Sequence, residues 1–146
     1  MENLYQYNIF IIPVVVGLAA QFTKYIVYSL KHGWKLEYIL THGHMPSAHT
    51  AFVISLLTSI GYYEGLNTGA FAVAVVLGFI IIDDAVRLRV YLGDQGRYLN
   101  RLTEQLKIDE KKFPRLKERV GHKISEVIIG GIYGLLLTIF LISILS

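Results

Sequence analysis

Apolar positions along the chain fill four nearly unbroken runs, at about residues 8–30, 47–63, 66–82 and 124–145. Crossing a hydrocarbon layer takes about 20 apolar residues in helical form, because every backbone polar group must find its partner within the segment. The first and last runs meet that length, and the two middle runs are short. Pro13 lies inside the first run, where a membrane helix tolerates it as a kink. Between the third and fourth runs, RYLNRLTEQLKIDEKKFPRLKERVGHK mixes leucines with charges, which predicts one or two amphipathic helices broken near Pro114. The pattern predicts an all-α integral membrane bundle of about four transmembrane helices, with a basic amphipathic connection between the third and fourth. The opening MENLYQYN lacks the cationic flank of a signal peptide, so the first run is expected to stay as a span.

Composition supports that pattern. Of 146 residues, 53% are hydrophobic and 17% charged, with a mean hydropathy of +0.48, too oily for a soluble domain of this size. A small bundle would use nearly the whole chain, so residues 1–146 are expected to form a single domain. The absence of cysteine excludes a disulfide frame, a thiolate metal site and a cysteine nucleophile. No internal repeat or low-complexity tract is present.

Charge then sets an orientation. All 14 Lys and Arg residues fall on, or near, the side that receives the end of the first span and the start of the second, whereas the other side carries only Glu2 and Glu64. The positive-inside rule places the basic side in the cytoplasm and both termini outside, in an inner or plasma membrane. The basic connection is expected to lie against anionic headgroups. Nucleic acid is a poor partner, because these cations flank membrane spans rather than build a reading module. A homo-oligomer is compatible with all of these features.

Residues capable of chemistry collect on the same side. Lys24 comes late in the first span, Ser47 and His49 open the second, Asp83, Asp84, Arg87 and Arg89 close the third, and His122 and Glu126 open the fourth. Helix N-termini near Pro46 and Ile124 would aim free N–H groups and positive dipole ends at this zone, which favours an anion and above all a phosphate. Singly, each feature has an ordinary reading. A lysine near a helix end snorkels, Pro-Ser caps a helix, and His122 with Glu126 or Asp83 with Arg87 make i,i+4 surface pairs. Gly130, Gly131 and Gly134 allow close helix packing. His42, His44 and His49 are close in sequence but have no acidic or thiolate partner nearby to complete a metal set.

Order and company change the weighing. The chain resembles the type 2 phosphatidic acid phosphatase superfamily, whose pattern is K-x6-RP, then PSGH, then SR-x5-H-x3-D. It is most similar to the divergent, membrane-embedded branch, with GGMPSSHSA, DAxGVRR, GxQAxxLN and GHTPxEVxxGxxxG. Here the runs are GHMPSAHTA, Asp84-Ala85-Val86-Arg87-Leu88-Arg89, Gly93-Asp94-Gln95 with Leu99-Asn100, and Gly121-His122 with Glu126-Val127, Gly130 and Gly134. The likeness covers roughly residues 17 to 134. Lys24 is followed by Lys31-His32 instead of Arg-Pro, and Arg119 stands three residues before His122 where the wider pattern wants six.

The resemblance implies a lipid phosphate phosphatase that needs no metal or other cofactor. His122 would be the nucleophile that forms a phosphohistidine, Glu126 would hold its second ring nitrogen, and His49 would protonate the leaving alkoxide. Lys24, Ser47, Arg89 and Arg87 would hold the phosphate oxygens, with Arg89 favoured over Arg87, while Asp84 and Gly121 lend support. A cytoplasmic site between spans suits a phospholipid phosphomonoester, phosphatidylglycerophosphate or phosphatidic acid. The rival readings are a non-catalytic module binding anionic lipid, and a small structural or transport subunit.

Overall fold

The computed structural model describes residues 2–40, 45–109 and 111–145, and among them there is no strand. The described residues form five α-helices in order: α1 (Glu2–His32), α2 (Ala48–Tyr63), α3 (Gly69–Asp83), α4 (Arg89–Gln105) and α5 (Ile124–Leu145). A 3-10 turn, Leu36–Leu40, follows α1, and a π-helical turn, Asp84–Leu88, joins α3 to α4. Among the described residues, three stretches are long and apolar enough to cross a membrane: Tyr7–His32, Gly69–Gln105 and Ile124–Leu145. The all-α membrane bundle expected from the hydrophobic runs is therefore the architecture found.

The second run makes a different kind of helix. α2 has 16 residues and so reaches about 24 Å, less than the roughly 30 Å of a hydrocarbon layer. It sits in the middle of the bundle, packed on α1, α3 and α5. Ser47 caps it, with a side-chain oxygen that accepts from the Thr50 N–H, as helix starts require.

Small residues bring these helices into backbone contact. The core joins Ile12, Val16 and Ala20 of α1 to Ala51 of α2 and Ile142 of α5. A Cβ on Gly130 would stand 2.5 Å from the Ser47 carbonyl oxygen, and one on Gly134 would collide with the Ala51 backbone. Only glycine allows α5 to lie this close to α2. Interhelical hydrogen bonds add to the fit: Thr138 Oγ1 donates to Ser55 Oγ at 2.6 Å, and Thr23 Oγ1 lies 3.1 Å from the Tyr133 hydroxyl. Because the α2–α5 contact begins at their first turns, the Ser47 N–H donates to the Glu126 carbonyl at 3.2 Å. The starts of both helices thus face one place.

The connection between the third and fourth spans corrects the expectation of separate amphipathic helices broken near Pro114. Its helical part begins inside the preceding span, since Gly69–Gln105 is one helix of 37 residues. Lys107 then adopts φ 52°, and the described residues from 106 to 123 contain no further helix. This stretch has other uses for its backbone groups. The buried Asn100 amide donates to the Leu116 carbonyl and to Glu118 Oε1, both at 2.9 Å, and its oxygen accepts from the Leu116 N–H at 2.9 Å. Gly93 and Gly96 let the backbone of Glu118 and Lys117 lie directly on α4. The return segment therefore runs along α4 and delivers residues 119–122 to the head of α5.

Candidate active site

His122 stands two residues before α5 and is held from both sides. Its backbone N–H donates to the Ala85 carbonyl at 3.0 Å. That carbonyl is available because the π-helical turn widens the helix locally: the Arg89 N–H bonds to the Asp84 carbonyl, five residues back. π-turns of this kind recur at functional sites. Gly121 permits the approach, since a Cβ there would lie 2.7 Å from the Val90 nitrogen.

His122 is 7% exposed, and its Nδ1 lies 3.0 Å from Glu126 Oε2. The same carboxylate accepts from Arg119 Nη2 at 3.0 Å and from the Lys123 N–H at 3.2 Å. A carboxylate acceptor on Nδ1 puts the ring hydrogen on that nitrogen and leaves the lone pair on Nε2. Burial holds the His122 imidazole below its ordinary pKa of 6.5. The hydrogen bond and charge of Glu126 pull upward without prevailing, and the charges of Lys24 and Arg89 push further down. The neutral ring is the form a nucleophile needs.

His122 shares a cavity of about 170 Å³ with His49, Asp84 and Arg89, closed by Ile80, Ile81 and Ala85. Arg89 Nε lies 2.5 Å from Asp84 Oδ2, so one ion pair fixes the guanidinium across the π-turn. His122 also borders a second hollow, of about 400 Å³, with Arg97, Arg119 and Lys123 together with Asp94 and Glu118. Arg89 borders the first cavity and Arg97, Arg119 and Lys123 the second, with Arg89 paired to Asp84, Arg97 to Asp94 and Glu118, and Arg119 to Glu126.

The remaining sequence-predicted residues fall into three positions. Lys24 is 5% exposed and within electrostatic reach of Glu126 and His122, and it is not among the residues lining the cavity. Ser47 is fully buried, and its hydroxyl accepts from Thr50 Oγ1 at 3.0 Å; it supports the head of α2 and does not border the cavity. Arg87 turns away, with its side chain 62% exposed and bound to Asp83 at 2.8 Å. His42 and His44 lie outside the described residues; among those described, no group of three or more His, Asp or Glu side chains could hold a metal.

Two contributors were not assigned a place from sequence. Arg119 lies seven residues before Glu126 and outside α5, so no helical spacing announces it. Asn100 belongs to a quoted motif, but its role as a clamp on the return segment depends on a turn that residue patterns do not define.

The chain matches the family described as "Divergent PAP2 family" over residues 5–137. It is 34% identical over 127 residues, covering 79% of each chain, to the Bacillus subtilis (strain 168) protein named "Uncharacterized membrane protein YuiD". No solved structure matches. The extent of the family match and the identity to a membrane protein agree with the residues gathered around His122: this chain belongs to the divergent PAP2 family.

Proposed function

We propose that this protein is a phosphatase that hydrolyses a lipid phosphomonoester through a phosphohistidine. The observation that carries this reading is the buried His122–Glu126 pair on the wall of a cavity that also contains His49 and Arg89. Nε2 of His122 attacks phosphorus, forming a P–N bond as the P–O ester bond breaks, and His49 gives its proton to the departing alkoxide. Water then attacks the phosphohistidine, His49 takes the proton back, and phosphate leaves with His122 restored. Arg89, positioned by Asp84, meets the equatorial oxygens where charge accumulates, and Lys24 adds to the field.

The head of α5 lies at one end of a membrane span, which suits a substrate whose tails stay in the bilayer; phosphatidylglycerophosphate and phosphatidic acid are the favoured candidates. The charge asymmetry supports a cytoplasmic active site with both termini outside.

Phosphate release from a panel of lipid phosphates by the purified protein tests the reading. Turnover should persist in chelator, fall with vanadate, and drop at least about 100-fold in His122→Ala and His49→Ala, the range of a lost nucleophile or general acid. Normal turnover in both variants would overturn the mechanism, and a parent protein that binds these lipids without releasing phosphate would make it a binding module.

A further inference from the structure

The carboxylate paired with the imidazole is held by both of its oxygens. Glu126 Oε2 accepts from the Lys123 N–H and faces His122 Nδ1, whereas Oε1 accepts from Arg119 Nη2 at 3.0 Å. The last torsion of a glutamate is broad and roughly two-fold, so bonds to one oxygen alone leave the group room to turn. Glu126 also has one methylene more than the aspartate of the wider pattern, and with it one more torsion to fix. A second hold, on Oε1, pins that arm.

Stability does not account for the contact. The Arg119 side chain is 55% exposed and that of Glu126 only 6%, and an ion pair with one partner in water adds little to folding. Its effect is geometric. Lys24 lies within electrostatic reach of Glu126, so a carboxylate released by Arg119 has a rival partner to turn to.

The chain holds Arg119 from both sides in sequence. Upstream, the Asn100 side chain bonds both backbone groups of Leu116 and the Glu118 carboxylate, and Gly93 lets the Glu118 carbonyl rest on α4. Downstream, the His122 N–H is tied to the Ala85 carbonyl. Arg119 stands between these two stitches, on a stretch with little slack.

We propose that Arg119 is a positioning residue for the nucleophile: by holding Oε1 it keeps Glu126 on Nδ1 of His122, and the return segment, clamped by Asn100, is the strap that presents it. The consequence for turnover rests on the phosphatase reading, whereas the hold on the ring does not. A carboxylate fixed on Nδ1 keeps the lone pair on Nε2, the nitrogen that attacks phosphorus in that reading. A loosened one lets the ring hydrogen move to Nε2, which blocks attack.

Nitrogen NMR of the isotope-labelled full chain in detergent, at a pH where the ring is neutral, reads the ring hydrogen directly. The signal of His122, one of five histidines, is identified by its loss in His122→Ala. The parent should show the Nδ1–H form. Arg119→Ala should show a mixture of both forms with unchanged helicity and thermal unfolding, and so should the ring in Asn100→Asp, which sets a carboxylate against that of Glu118. A parent-like signal in Arg119→Ala overturns the positioning role, and one in Asn100→Asp overturns the strap. On a lipid phosphate, Arg119→Ala should lower kcat by about 10- to 100-fold at constant KM, the range for a displaced reacting group. It should cost nothing further in Glu126→Gln, because it acts through that side chain. A raised KM with full kcat would make Arg119 a phosphate ligand, and an added loss in Glu126→Gln would give it a separate role; either overturns the proposal. No turnover in the parent sinks the phosphatase reading alone, since the ring signal still decides what Arg119 does.

Discussion

One carboxylate serves three donors at the head of α5. Glu126 accepts from His122, Arg119 and the Lys123 N–H, which fixes the ring orientation and leaves the lone pair on Nε2. Because burial keeps His122 below 6.5, the acid limb of kcat/KM should lie below that value: the neutral nucleophile persists as pH falls, until the depressed pKa is crossed. Glu126→Gln removes the one influence that raises this pKa, so the limb should move to still lower pH while kcat drops about 100-fold or more; a pH–rate profile in detergent checks both. An unmoved limb with full kcat would show that the pair does not act on the ring. At this scale much was legible in the chain. His49, His122 and Glu126 could be picked out through the family resemblance of their motifs, which also favoured Arg89 over Arg87, whereas Ser47 could not be sorted from the residues that line the cavity, since a hydroxyl turned inward has the same letter as one turned outward. Arg119 was missed because its partner lies across a bend.

At the scale of elements, contact between α2 and α5 locates the site. Gly134→Val should destabilise the bundle by roughly 3 kcal/mol, the upper end for overpacking, because its Cβ meets the Ala51 backbone. Gly131→Ala should be nearly neutral, since its Cβ would rest 3.7 Å from a Thr50 methyl. Thermal unfolding of the two variants in one detergent compares them, and equal losses would contradict the packing. Apolar runs revealed α1, α2, α3 and α5 within a few residues, because hydrophobicity over a whole span survives any detail of packing. The π-turn and the uninterrupted passage from α3 into α4 were hidden: charges at 83–89 resemble the end of a span, yet Asp83 with Arg87 and Asp84 with Arg89 neutralise each other along the same rod.

For the whole molecule, the proposed orientation makes a direct demand. A cysteine replacing Lys111 should be shielded from an impermeant thiol reagent in intact cells and react once the membrane is opened; immediate labelling would reverse the assignment. The bundle also has unequal members, with α2 shorter by about 6 Å than the layer in which its neighbours stand. α2 carries His49 into the cavity, and a shortfall at that end would set the proposed site below the rim of the longer helices, where a bilayer must dimple for a headgroup to arrive. Phosphate release should accordingly be faster in vesicles of short-chain lipid than in thick ones, with equal rates in both arguing against a recess. A phosphatase of the proposed kind would then sense the thickness of its membrane, with the length of a single helix as its ruler.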